Sequence, residues 1–426
     1  MPRVRVTPQR SSGLVVATAA CLFVAFAAPV AGAAPRASGI VVDPARRVTA
    51  TVGQRISIPL ADSPAREMHV DGLPRGAKVV GRAIQWTPRT AGEWTAVVQT
   101  GTTGNQNVGY STGGEHAAGH AVIRTTTRRI ALVSRYPARP GAIVAMGDSV
   151  AAGQGLQLSD YLGNDSCWRS SDRNYPHQLL GAWSKLHPGT RPEVATVACS
   201  GYDSGDLVSA GVNGGIPGTG PTNRQLPQLE WAVRANPGLV TITVGANDLR
   251  FDRPEQSLQK DGSIDRPVVD RRLSTFGRNL TTVLDRLLTR TDARIVVTTY
   301  GDPAAEHPEG VPNCRDACFA GAVADILGRL DDRIVSTVAA TGSSRVTVAD
   351  VRAAFVGHGA PNAIGPDALR LGTLLGRTVR GASAFCSIGH PSGDPWISAL
   401  DCVHPNAAGT RAYAAAVTAS FSATTI

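Results

Sequence analysis

Four points along this 426-residue chain carry side chains able to do chemistry together. Gly147-Asp148-Ser149 follows the apolar run Ala142–Ala145. Gly201 closes Ala198-Cys199-Ser200-Gly201 after Val194–Ala198. Gly245-Ala246-Asn247-Asp248 follows Leu239–Val244, and Asp401-Cys402-Val403-His404-Pro405 opens a helical stretch from Asn406 toward Phe421. A serine hydroxyl becomes a competent nucleophile when a base takes its proton. An Asp three residues before a His, in a turn, reaches the far ring nitrogen, fixes the tautomer and leaves the near nitrogen for the serine. A closely approachable glycine N–H and an asparagine amide suit the oxyanion of an acyl-transfer intermediate.

Each block also has a plain structural reading. Ser149 could cap a helix, Gly201 could be a turn glycine and Asn247 a loop amide. Their occurrence together, with the first three at strand ends, favours one site. Asp148 points away from its neighbour Ser149 and is expected to support structure; Asp248 is expected to brace its loop. His116 and His120 stand four apart, a metal-pair spacing on a helix, but in a Gly-rich stretch that suits solvent-exposed histidines. His307, His358 and His390 lack a partner motif, and His177 beside Pro176 reads as structural. Trp86 and Trp94 read as core rather than as a carbohydrate platform. The expectation is a site with no metal and no organic cofactor.

The elements that must position these residues differ on either side of residue 140. Over 38–135 the pattern is of short alternating strands, among them Arg55–Ile58, Ala83–Trp86 and Trp94–Val98, with turn residues between, as in a small β-sandwich. Gly101–Gly119 reads as a long hairpin loop. From 141 to 424 apolar strands alternate with helical patterns. Ala142–Ala145, Val194–Ala198, Leu239–Val244, Arg294–Thr298 and Val346–Ala349 lack strict alternation, as strands covered on both faces do. Leu273, Phe276, Leu280, Val283, Leu284 and Leu287 share one helix face; Val323, Ile326, Leu327, Leu330 and Ile334 share another. This predicts an α/β fold with a doubly wound parallel sheet, whose carboxyl edge collects the strand-end blocks. Gly211–Asn223 reads as a loop. Tyr136-Pro137 and Arg139-Pro140 read as a linker.

Arg3, Arg5 and Arg10, the apolar run Leu14–Ala28 and Ala31-Gly32-Ala33 form a secretory signal over residues 1–33, with an uncleaved anchor as the less favoured reading. Cys21 falls inside it. Cys167, Cys199, Cys314, Cys318, Cys386 and Cys402 remain, and outside the cytosol six cysteines read as three disulfides with fifteen possible connectivities. The net charge of +9 includes three arginines of residues 1–34; without them it is near +6. The basic residues are scattered, without aromatic interleaving, which argues against nucleic-acid binding and allows a mild attraction to anionic surfaces.

The blocks GDS, Gly201, GxND and DxxHP, in this order over about 141–422, resemble the SGNH hydrolases, also called the GDSL esterase/lipase family. ATVACSGYDSGDL, LVTITVGANDLRF and the six cysteines look like secreted actinomycete members. The resemblance implies a flavodoxin-like fold and a carboxylic ester hydrolase with Ser149 as nucleophile. His404 would be its base and acid, Asp401 its orienting acid, and Ser149, Gly201 and Asn247 its oxyanion hole. It also implies the pairs Cys167–Cys199, Cys314–Cys318 and Cys386–Cys402. Some members use a backbone carbonyl in place of the acid. The stretch DGLPRGAKVVGRAIQWTPRTAGEWTAVVQTG is similar to bacterial immunoglobulin-like or cadherin-like modules, implying contact with cell wall or polymer. The expected partner is a small-molecule or lipid ester, and the expected state a monomer. Acetylated carbohydrate, phospholipid and thioester substrates stay open, as does a non-catalytic cell-wall-binding protein.

Overall fold

Alternation sets the first architecture. In Ala83–Trp86 the side chains of Ile84 and Trp86 are buried while Ala83 and Gln85 are half-buried, so one face of the strand turns inward. The computed structural model describes residues 43–60, 67–104, 122–156, 167–209, 226–250, 256–257, 259, 263–302, 314–358, 394–398 and 403–422. At 43–45, 67, 101–104, 122–126 and 314–323 it describes the backbone alone.

Strands β1 (Asp43–Thr51), β2 (Ile56–Pro59), β3 (Glu67–Asp71), β4 (Lys78–Val80), β5 (Ala83–Trp86), β6 (Gly92–Gly104) and β7 (Val122–Arg135) form two sheets, ordered β1-β7-β6-β3 and β2-β5-β4. β1 runs parallel to β7; the other pairings are antiparallel. Ile58, Ile84 and Trp86 of one sheet share a core with Ala50, Ala96, Val98, Ile130 and Leu132 of the other. Trp86 meets Trp94 edge to face at 5.3 Å, so both tryptophans serve this core. The expected loop at Gly101–Gly119 begins later than predicted, because the β6–β7 ladder continues through Gly104↔Val122.

The second architecture rests on strands that are apolar throughout. β8 (Arg139–Gly147) is buried from Gly141 to Gly147, as a strand covered on both faces must be. With β9 (Glu193–Thr196), β10 (Pro237–Thr243), β11 (Arg294–Thr298) and β12 (Val346–Ala349) it makes a parallel sheet ordered β12-β11-β10-β8-β9. Counted from its own first strand, that order is 2-1-3-4-5, and the chain reverses direction across the sheet beside β8. Open α/β sheets bind ligands at that switch, outside the carboxyl ends of the strands. The short helices α1 (Ser149–Ala152), α2 (Tyr175–Gln178) and α3 (Leu180–Leu186) follow β8, and α4 (Gln228–Ala235) precedes β10.

Helix α5 (Arg266–Arg290) begins where the Asp265 side chain accepts the Val268 N–H at 3.1 Å, with Pro267 in the first turn. It buries Leu273, Phe276, Leu280, Val283, Leu284 and Leu287, the face expected from the sequence. Helices α6 (Cys314–Ala340) and α7 (Ala407–Ser422) complete the described layers. Among the described residues no helix is long and apolar enough to cross a membrane. β9 stops at Thr196, two residues earlier than expected, because the N–H groups of Val197 and Ala198 both turn onto the Ala145 carbonyl.

The segment between β7 and β8, read in sequence as a linker, is fastened. Asn236 caps α4 in the left-handed region at φ +38. Its fully buried amide donates to the Tyr136 carbonyl at 2.6 Å and accepts the Asp292 N–H at 2.7 Å. Arg139 N–H donates to the Asn236 carbonyl at 2.9 Å, and Arg135 forms an ion pair with Asp292. Replacing Asn236 by Ala leaves a carbonyl and an N–H unpaired, each worth about 1–3 kcal/mol if buried. The expected loss, read by urea denaturation, is roughly 2–4 kcal/mol; a loss below about 0.5 kcal/mol, ordinary for a surface site, would contradict this anchoring.

Candidate active site

The nucleophile candidate is placed by a close approach of two strands. Gly147 pairs with Thr243, and a Cβ at Gly147 would lie 1.9 Å from the Thr243 carbonyl oxygen, with φ at +131. Only glycine lets the chain pass here. Gly147 N–H and C=O both bond to the buried amide of Gln228, at 2.6 and 2.9 Å, and Asp148 N–H donates to Thr243 C=O at 2.9 Å. Ser149, 8% exposed, then opens α1, where its N–H has no partner within the helix.

His404 Nε2 lies 2.7 Å from Ser149 Oγ. Gly155 lets the His404 loop approach, since a Cβ there would lie 2.6 Å from His404 Cβ. The loop is also paired: Ser398 N–H donates to His404 C=O at 2.8 Å, and Asn406 N–H to Trp396 C=O at 2.8 Å. Asp401 lies outside the described residues.

The second block bends in a turn in which Tyr202 N–H donates to Cys199 C=O at 3.2 Å, with Gly201 at φ +82 in the third position. Cys199 is disulfide-bonded to Cys167; its N–H donates to Gly147 C=O, and Ser200 N–H donates to Cys167 C=O at 3.1 Å. The turn is thus tied both to β8 and to a neighbouring loop. Ser200 Oγ donates to Gln154 Oε1. In the third block Asn247 Nδ2 donates one hydrogen to Tyr202 C=O at 2.8 Å, which fixes the amide plane and leaves its second hydrogen. The Asp248 carboxylate accepts Ser204 N–H at 2.9 Å and Ser204 O–H at 2.5 Å, bracing the second block against the third. The strand-end blocks therefore gather at one edge.

Asp148 accepts Val150 N–H at 2.9 Å and the Tyr300 O–H at 2.5 Å. The Tyr300 oxygen also accepts Ala246 N–H at 3.4 Å, so it bridges the first block to the third. Tyr300 and Gln228 carry no motif that marks them in the sequence. Tyr300 stands just past β11, at the same sheet edge, a positional hint; nothing in the sequence names its partner. Burial pushes the Asp148 carboxyl up to about 6, partly offset by the bonds from Tyr300 and Val150 and by His404. Burial and then the Asp148 charge raise Tyr300 well above the usual phenol range.

Of the other expectations, Cys314 and Cys318 lie in the backbone of α6 but their side chains are outside the described set, as are Cys386, Cys402, His116, His120, His307 and His390. His177 pairs with Asn174 Oδ1 at 2.6 Å, and His358 stacks on Trp396 at 3.7 Å. Among the described residues no group of three His, Cys, Asp or Glu is placed to hold a metal ion.

The profile of the GDSL-like Lipase/Acylhydrolase family matches residues 145–412. The chain belongs to this family and is a serine ester hydrolase with the SGNH hydrolase fold. Among solved structures it is similar to an extracellular lipase from Streptomyces rimosus, at 22% identity and a TM-score of 0.44, over 66% of this chain and 99% of that one. A phospholipase A1 from Streptomyces albidoflavus matches at 22% identity and 0.41 over the same shares. A family two carbohydrate esterase from Cellvibrio japonicus matches at 15% and 0.33, over 86% of this chain and 96% of that one. No curated protein matches the chain significantly.

The site carries a cost that pH should reveal. Burial raises Asp148 and Asp206 to about 6 and Asp248 and Asp331 to about 7, from 3.8. Between about pH 4 and 7 these carboxyls hold protons when folded that they release when unfolded, so stability falls as pH rises through that window. Burial lowers His177, which acts oppositely below its ordinary 6.5, as one group against four. The melting temperature is expected to decline from about pH 5 toward pH 8; a rise across that range in scanning calorimetry would refute this reading.

Proposed function

We propose that Ser149 carries the acyl group in a two-step ester hydrolysis. His404 Nε2 takes the hydroxyl proton as Ser149 Oγ attacks the ester carbonyl, then delivers it to the departing alcohol. Ser149 N–H, Gly201 N–H and the second hydrogen of the Asn247 amide receive the oxyanion. Water then attacks the acyl-enzyme, with His404 again taking and returning a proton. Asp401 orients the imidazole. The observation carrying this reading is the 2.7 Å contact between Ser149 Oγ and His404 Nε2 at the switch point of the sheet.

The substrate in this reading is a carboxylic ester of a small molecule or lipid. The chain acts outside the cytosol, which the signal-like Arg3–Ala33 stretch and the Cys167–Cys199 disulfide support, and in this reading it acts as a monomer. Cys314–Cys318 and Cys386–Cys402 complete the set, the latter tethering the chain beside His404. The β-rich residues 38–135 hold none of the catalytic blocks and serve location.

Replacing Ser149 by Ala is expected to abolish turnover of short-chain p-nitrophenyl esters with the circular dichroism spectrum unchanged; full activity would sink the assignment. Asn247→Ala should lower kcat by roughly 10²–10³ if its amide faces the oxyanion.

A further inference from the structure

Charge is divided unevenly along this chain. Residues 38–135 carry 12 Lys and Arg against 6 Asp and Glu, whereas residues 136–426 carry 26 against 27. Beyond residues 1–37, which hold four arginines and no acid, the excess is confined to the β-sandwich region, and within it one sheet stands apart. Segments 52–60 and 72–92 build the β2-β5-β4 sheet and its turns. They contain Arg55, Arg75, Lys78, Arg82 and Arg89, all exposed, and no acid. The acids whose side chains are described in this region belong to the other sheet, where they are paired: Asp71 with His69 at 2.9 Å and Glu93 with Arg47 at 3.3 Å.

Register gathers the charges. Ser57, Gln85 and Lys78 lie in one cross-strand row on the face turned from the core, and Pro59, Ala83 and Val80 in the next. The Arg55 guanidinium reaches over this face to Gln85 Oε1 at 2.6 Å, and Arg46 reaches the Pro59 carbonyl at 3.4 Å. Edge strand β4 turns into β5 through Gly81, at φ +58, and Arg82. The hairpin tip therefore reads Lys78-Val79-Val80-Gly81-Arg82; Val80 belongs to the outward face and Val79 to the row of Ile58 and Ile84, and at this sheet edge they stay 43% and 40% exposed.

We infer that this face and hairpin dock the enzyme on an anionic phospholipid surface. The charge is of the complementary sign and, among the described residues of this sheet, uncompensated, which gives attraction that salt screens. The two valines decide between partners. A hydrated polyanion offers them nothing, whereas the boundary between headgroups and acyl chains buries them, and flanking Lys and Arg keep their charges at headgroup level. The docking surface lies in the region without catalytic blocks, so it holds the enzyme at lipid without altering the chemistry.

The test is co-sedimentation of the full chain with vesicles of phosphatidylcholine alone or mixed equally with phosphatidylglycerol. Binding is expected to the mixed vesicles only, and to weaken as salt rises from about 50 to 500 mM, where the screening length shortens severalfold. The double variant Lys78→Glu/Arg82→Glu should bind at least about tenfold more weakly while its turnover of a soluble ester stays unchanged. Val79→Ser/Val80→Ser should weaken vesicle binding yet leave any binding to soluble polyphosphate untouched. Equal binding by the charge-reversed and parent chains, or binding to polyphosphate with none to mixed vesicles, would overturn the proposal.

Discussion

A 2.7 Å hydrogen bond joins Ser149 and His404, two residues 255 positions apart, and the rest of the structure can be understood as what keeps that distance. Ser149 is fixed because β8 lies inside a parallel sheet and its last residue has no side chain to keep Thr243 away. His404 is fixed from another direction. Its loop pairs with residues 396–398 through the Ile397↔Pro405 bridge, and Trp396 rests edge-on against Phe355, which in turn meets Tyr413 of α7. Main-chain hydrogen bonds thus hold both sides, with apolar packing added behind His404 and the Gln228 amide behind Ser149.

Between them runs a buried polar layer. Tyr300 ties Asp148 to Ala246, Asp331 accepts the Tyr300 N–H at 3.1 Å, and Tyr175, Thr243 and Thr298 form a hydroxyl chain beneath the strand ends. Such networks specify one arrangement when satisfied and are costly when broken. The raised carboxyls of Asp148, Asp248 and Asp331 record that cost, since each sits in low dielectric and leans on a few donors. Stability is given up here for a fixed edge on which an acyl group can be transferred.

Much of this was legible from residue order alone. β11 and β12 lie where continuous apolar runs put them, and α5 buries the face its 3.6-residue period marks, because strand and helix periods are local properties. The strand-end blocks meet because parallel strands deliver their carboxyl ends to one edge. Contacts made by side chains distant in sequence were not legible. Gln228 clamps Gly147 from α4, and Tyr300 meets Asp148 from 152 positions away; neither has a local signature. The junction at 136–140 carries a linker's prolines, Pro137 and Pro140, and yet is pinned, because Asn236 supplies partners for the Tyr136 carbonyl and the Arg139 N–H.

The central claim is that His404 activates Ser149, and active-site labelling reads this without reference to any substrate. A fluorophosphonate probe reacts with a serine only when a base has made it nucleophilic. The account predicts one label per chain, found by peptide mass spectrometry on the segment holding Ser149, and loss of labelling in His404→Ala. A label elsewhere, or undiminished labelling of Ser149 without His404, would contradict it.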